Sequence, residues 1–279
     1  MAQHPVAGPP GSEGGVPADA PPGQGPGGSH FVQSLARGLS VITAFDASRP
    51  RMTLADVARR TGLSRATARR LLLTLEQLGY VRTVGREFEL TAKVLEIGYA
   101  YLSSLELPEI AAPHLRRLSE RLGESTSVAV LDGSDIVYVA RVQARHIMNV
   151  AISVGTRFPA HATSMGRVLL SELPDDEVRV RCEGPLEHPP AARTVSTLDG
   201  LRRRLAEVRR SGYADVDQEL EAGLRSVAVP VRDAGARVVA AVNVSMRVGA
   251  TAADPVAGIL PALRECAAGI ERDLSAAGA

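Results

Sequence analysis

Ser64, Arg65, Thr67, Arg69 and Arg70 lie within seven residues of one another. Hydroxyls and guanidinium groups so close together suit hydrogen bonding to base edges and phosphates. Their spacing puts them on a helix. Ser64 caps it, and Ala68, Leu71, Leu72, Leu75 and Leu78 form an apolar face that leaves the cations on the other side. A shorter helix precedes it, with Thr53 as cap and Asp56 returning the bond three residues on. Leu54, Val57 and Ala58 share its inner face, and Gly62 ends it, since glycine enters the left-handed conformation without steric cost. Two short helices joined by a tight turn make a helix-turn-helix, whose second helix enters a major groove by its leading end. A pair of core helices with a solvated basic face would show the same pattern.

The segment that follows favours DNA. Tyr80 to Thr83 and Glu87 to Leu90 suit two short strands around Gly85, with Arg82 and Arg86 on the hairpin. A basic hairpin in that position is the wing of a winged helix, which lies along phosphates or in the minor groove. Upstream, Phe31, Leu35, Leu39, Ile42 and Phe45 recur at helical spacing and predict a first helix to about Ala47, packed across the other two. Ser34 and Arg37 near its start fit phosphate contacts or simple solvation equally well, and Thr53 joins them among the candidate DNA contacts.

Charge supports this placement. The net charge over 279 residues is only +1, but residues 31–90 hold ten Arg against five acids, a net of +5. Residues 1–30 carry −2 and the remainder −2. Lys93 is the only lysine, which points to a coding bias, so arginine over lysine at any one site says little. The length suggests about two domains at roughly 100–200 residues each. Residues 1–30 are half Pro and Gly and are expected to be disordered. Cys182 and Cys266 make no metal or redox spacing. With no signal peptide and no apolar run of membrane-spanning length, a cytoplasmic location without membrane contact is expected.

Beyond the wing, Val94, Leu95, Ile97 and Leu102 predict a helix, and Ile110, Leu115, Leu118 and Leu122 a second. Residues 91–123 are therefore expected to form a helical linker carrying a dimer contact. After Gly123 the period changes. Strands are predicted at Ser127 to Leu131, Ile136 to Ala140 and Ile147 to Ser153, then a loop at 155–161 and a helix from Thr163 to about Leu170. A helix from Leu198 to Arg210, strands near 225–231 and 237–245, and a helix from Val256 to Leu274 complete an α+β domain over 124–279.

At this point particular motifs become recognisable. Gly155-Thr156-Arg157-Phe158-Pro159-Ala160-His161-Ala162-Thr163-Ser164-Met165-Gly166-Arg167, with the stretch from Asp217 to Ala228 and the winged helix at 31–90, resembles the IclR family of bacterial transcriptional regulators. The likeness spans about residues 31–275. Phe31 to Leu39 and the Thr-Ser-Met-Gly-Arg segment look most like the branch regulating protocatechuate and β-ketoadipate catabolism, the PcaR, PcaU and PobR types. The resemblance implies a GAF-like effector domain that binds a small organic acid, with protocatechuate, 4-hydroxybenzoate and β-ketoadipate as candidates. It also implies a homodimer, or a dimer of dimers, on a near-palindromic double-stranded operator. Carried over by position, the effector residues are Ser164, Met165, Asp217, Leu224, Ser226, Asn243 and Ser245. Where some members have Gly and Ala, this chain has the larger Ser164 and Met165. From the residues alone, the start of the 163–170 helix offers N–H groups to a carboxylate. Arg157 either adds a charge-assisted bond or is a solvated loop residue.

Rival classes fare worse. Ser164, His161 and Asp217 can be drawn as a triad, but no G-x-S-x-G elbow is present. The six His are scattered, and Asp217, Glu219 and Glu221 alternate as a solvated loop would. No enzyme, metal or cofactor is expected. A purely architectural DNA binder would not need the large, nearly neutral second domain.

Overall fold

The computed structural model describes residues 31–46, 48–97, 106–144, 152–187, 189–248 and 255–277. The chain divides into two units, Met1–Glu96 and Ile97–Ala279.

In the first unit, α1 (Gln33–Thr43), α2 (Leu54–Thr61) and α3 (Arg65–Gln77) surround Val41, Phe45, Val57, Ala68 and Leu72. The Thr53–Asp56 capping box forms as expected, and Gly62 ends α2 at φ 67°. Ser64 caps α3 by accepting from the Thr67 N–H. The wing is a three-stranded antiparallel sheet in the order β1-β3-β2, with β2 Val81–Val84 and β3 Glu87–Leu90. Strand β1, Arg51–Thr53, is too short to show in the sequence; it pairs Met52 with Phe88. Helix α1 departs from expectation. It buries Val41 and packs Ile42 and Phe45 inward, but Leu35 and Leu39 are 62% and 47% exposed. Its first two turns lie beyond the small core that the other helices reach.

The second unit is built on a six-stranded antiparallel sheet in the order β6-β5-β4-β9-β8-β7. The strands are β4 Ser125–Asp132, β5 Asp135–Val142, β6 Arg157–Pro159, β7 Ala214–Asp217, β8 Leu224–Arg232 and β9 Val238–Arg247. Alternation along them makes two different faces. Val227, Val229, Val231, Val242 and Val244 point to one face, where α4 (Leu107–Leu122) contributes Ala111, Leu115 and Leu118. The last helix, α8 (Pro255–Ala277), covers the same face with Leu263 and Ile270. Ala129, Ile136, Tyr138, Ala228 and Ala241 point to the other, under α5 (Ser164–Ser171), α6 (Asp175–Leu186) and α7 (Leu198–Ser211). Small residues predominate there, so α5 comes close. A Cβ built on Gly166 would lie 2.1 Å from the Ala160 carbonyl oxygen, so this position admits only glycine.

Three expectations change. The strand predicted at 147–153 falls mostly outside the described residues, and Ile152 and Ser153 are not in a strand. Residues expected in a loop form the edge strand β6, which pairs Phe158 with Ile136. Helix α6 has no apolar stripe of the kind that would mark it in the sequence; Val178, Cys182 and Leu186 bury it.

Candidate DNA interface and ligand cup

On α3 the apolar side is used up in the core, which leaves Arg65, Arg69 and Arg70 exposed. None of the three has an acid partner among the described residues. Several other cations in this unit are neutralised. Arg59 bonds Asp56 and Arg60 bonds Asp46, each at 2.5 Å. Ser64 Oγ donates to Thr67 Oγ1 at 2.9 Å, so the two hydroxyls at the head of α3 are held together. The Thr53 hydroxyl is engaged with Asp56 at 2.6 Å. Ser34 and Arg37 are exposed on α1.

The wing divides its arginines. Glu89, 12% exposed, accepts from Arg51 on one neighbouring strand at 2.6 Å and from Arg82 on the other at 2.5 Å. Those two bonds hold its carboxyl below the usual range. Arg82 is thus a tie across the sheet, contrary to its expected role as a free cationic point. Arg86 follows Gly85 (φ 64°) at the hairpin turn, exposed and without an acid partner among the described residues.

The second unit holds a small cup between the sheet and the start of α5. Its floor is Asn243 and Ser245 on β9, Leu224 and Ser226 on β8, and Tyr138 on β5. Thr163 and Ser164 close it from above, Val216 and Leu220 from one side, and Ile152 from another. Ser226 Oγ donates to Ser164 Oγ at 2.9 Å, and Asn243 Nδ2 to Ser245 Oγ at 3.0 Å. Thr163 caps α5 by accepting from the Gly166 N–H at 3.0 Å. Burial pushes the Tyr138 phenol up to about 12, so it stays protonated. The free space is about 10 Å³, enough for about one water.

Five of the expected effector residues come together here: Ser164, Leu224, Ser226, Asn243 and Ser245. Three do not. Arg157 turns outward, binding Asp132 at 2.6 Å and Asp135 at 3.3 Å, because β6 sits at the sheet edge above those acids. Asp217 faces Arg193 at 3.7 Å, since alternation on β7 sends Val216 inward and Asp217 out. Met165 is 1% exposed but packs in the core beneath α5. Tyr138, Thr163, Val216 and Leu220 were missed. Tyr138 had a signal in its period-two spacing from Ile136.

Glu219 is not the solvated loop residue expected from the alternating acids. Its carboxylate takes two bonds from the buried Arg167, at 2.8 and 2.5 Å, and one from the Val195 N–H at 3.0 Å. Arg167 Nε donates to the His161 carbonyl at 3.0 Å. This pair anchors the loop that carries Leu220 into the cup. The imidazole of His161 is fully buried and hydrogen-bonds nothing among the described residues. Burial, with Arg167 nearby, lowers its pKa and keeps it neutral. Ser164 bonds Ser226 instead, so no triad forms.

A winged helix-turn-helix together with a sheet-borne cup defines a DNA-binding protein with a sensory domain. Residues 99–272 match the bacterial transcriptional regulator IclR C-terminal family, and residues 34–85 match the IclR helix-turn-helix domain. The chain belongs to the IclR family of transcriptional regulators, which is not enzymatic. It is 44% identical over 224 residues to the Pca regulon regulatory protein of Pseudomonas putida, covering 80% of this chain and 77% of that one. It is 39% identical over 222 residues to the p-hydroxybenzoate hydroxylase transcriptional activator of Acinetobacter baylyi, covering 76% and 80%. A solved IclR homologue from Microbacterium hydrocarbonoxydans, in complex with 4-hydroxybenzoate, superposes with a TM-score of 0.74 at 31% identity, covering 86% and 98%. No helix among the described residues is long and apolar enough to cross a membrane.

Proposed function

We propose that this IclR-type regulator controls aromatic-acid catabolism, and that a small aromatic or dicarboxylic acid in the cup alters its hold on an operator. The observation that carries the sensory part is the cup itself: buried hydroxyls and an amide, with an aromatic ring, in a domain otherwise packed with aliphatic side chains. The homologue solved with 4-hydroxybenzoate points to that acid, and the family resemblance adds protocatechuate and β-ketoadipate as candidates. Ser64, Arg65, Thr67, Arg69 and Arg70 would read the major groove, and Arg86 a phosphate. A dimer fits the exposed apolar stripe of Val32, Leu35 and Leu39 on α1, which a second copy would cover.

An aromatic acid is larger than the space now open, so its entry displaces a wall. The Leu220 loop, which joins β7 to β8 and is held to α5 through Glu219 and Arg167, is the wall proposed to move. Ligand and DNA then influence each other reciprocally, because each favours one of two arrangements. Calorimetric titration of the three acids into wild type and Ser164→Trp, with and without operator DNA, tests this. Wild type should bind one of them and Ser164→Trp none. If no acid binds wild type, the aromatic reading fails; if Ser164→Trp binds as well as wild type, the cup lies elsewhere.

A further inference from the structure

The unit contains two inward-lying arginines with opposite surroundings. Arg167 uses its Nε on a carbonyl and both terminal nitrogens on Glu219. Arg141, at the end of β5, has one bond, from Nη1 to Ser127 Oγ at 2.9 Å. Its Nε is sealed from solvent without a partner, and no carboxylate pairs with it among the described residues. Burial lowers its pKa, consistent with a cation that is short of counter-charge. Arg141 as a whole is half-buried, and a charge whose Nε is sealed from water is ordinarily paired.

Register shows where this cation lies. Arg141 is the direct partner of Ser127, and Ser127 is the direct partner of Asn243. These three residues form one row across β5, β4 and β9, on the sheet face that carries the cup. Adjacent strands are about 4.8 Å apart, so the Arg141 and Asn243 Cα atoms are separated by about 10 Å. The Arg141 side chain already covers the half of that distance that reaches Ser127. Its guanidinium, bonded to Ser127, therefore points along the row that leads to Asn243, a cup residue. Asn243 Oδ1 is itself buried and without a hydrogen-bond donor among the described residues. One row thus holds an unmatched donor and an unmatched acceptor on either side of Ser127, which itself is fully buried. Among the described residues the walls of the cup include no cationic side chain, and Arg157 is committed to Asp132 and Asp135 at the surface.

We infer that Arg141 is the specificity-determining cation of the cup, receiving the carboxylate of the effector over Ser127 while Asn243 Oδ1 accepts from a ligand hydroxyl. This deepens the proposed function and rests on its location of the sensor in this cup. It replaces the start of α5 as the main carboxylate anchor. There the Thr163 hydroxyl already takes the Gly166 N–H, and Ser164 is bonded to Ser226. Guanidinium and carboxylate suit one another through paired, charge-assisted bonds.

The test uses the full-length protein with protocatechuate, 4-hydroxybenzoate, β-ketoadipate and pyruvate, and with 4-hydroxybenzamide as the uncharged counterpart of 4-hydroxybenzoate. Wild type should prefer 4-hydroxybenzoate to the amide. Arg141→Gln should weaken the acid by roughly 10–100-fold and leave the amide nearly unchanged, so that the preference collapses. Arg141→Lys should restore part of it. Without ligand, Arg141→Met should melt at or above the wild-type temperature, since the unmatched cation is removed. Acid binding unaffected by Arg141→Gln overturns the inference, as does a large drop in melting temperature for Arg141→Met, which would make the residue structural. If only pyruvate binds, and does so through Arg141, the aromatic reading fails while this inference stands. Binding of none of the acids overturns both.

Discussion

Arginine plays opposite parts in the two units. On α3, Arg65, Arg69 and Arg70 crowd one exposed face with no carboxylate among the described residues to neutralise them. In the second unit, Arg225 holds Asp215 at 2.6 Å, Arg204 holds Glu207 at 3.2 Å and Arg202 holds Asp199 at 3.4 Å. The reason is where the acids lie. Helix α7 carries its own acids three residues from its arginines, within reach on one face. The one acid of α3, Glu76, is near its far end and accepts from the Thr83 N–H and hydroxyl. The cations of α3 are left open where a polyanion would meet them, and many cations of the second unit are closed by partners. Within the second unit, Arg141 stands apart from Arg167 in the same way.

The closed class breaks most severely. Glu219→Ala leaves Arg167, whose side chain is 2% exposed, without its carboxylate. Losing one partner of a buried ion pair costs about 3–5 kcal/mol. Denaturant unfolding of the second unit should show that loss, whereas Arg204→Ala at an exposed pair should cost about 0–1 kcal/mol. Equal costs at the two positions would remove the distinction between anchored and solvated pairs.

The open class should fail in binding and leave folding intact. Arg65→Ala or Arg70→Ala should each weaken operator binding by about 1–3 kcal/mol and relax base preference, with unchanged circular dichroism. A mobility-shift titration against specific and scrambled DNA checks this. Full specific binding by both variants would place the groove-facing side elsewhere on the unit.

The wing tests the boundary between the classes with the smallest effect. Arg86 is free and Arg82 is tied to Glu89, so they should differ in salt dependence. Arg86→Ala should make the slope of log K against log salt less steep by about 0.9, the value for one phosphate contact. Arg82→Ala should change it less. Matching slopes would show that the Glu89 tie opens on DNA.

Part of the molecule was readable because its causes are local. The caps of Thr53 and Ser64, the stop at Gly62 and the hairpin around Gly85 depend on residues only a few positions apart. Cup residues were legible mainly through the family resemblance. Ser164, Leu224, Ser226, Asn243 and Ser245 were named from the resemblance, while Tyr138 lay outside its motifs and Leu220 lay inside one without being named. Arg157 and Asp217 fell within the motif but point away, because edge-strand placement and strand alternation decide direction.

By itself the sequence determined the winged helix-turn-helix, most of the long helices and strands, and the concentration of positive charge on 31–90. These follow from side-chain period, glycine placement and composition, which need no distant partner. Tertiary structure decided which charges are free. Arg82 meets Glu89 across a strand pair, Arg157 meets Asp132 across 25 positions, and Arg167 meets Glu219 across 52. Arg141 meets, among the described residues, only a serine 14 positions away. Charge is a property of the residue, but its neutralisation depends on register and packing, which bring together groups that no local pattern connects.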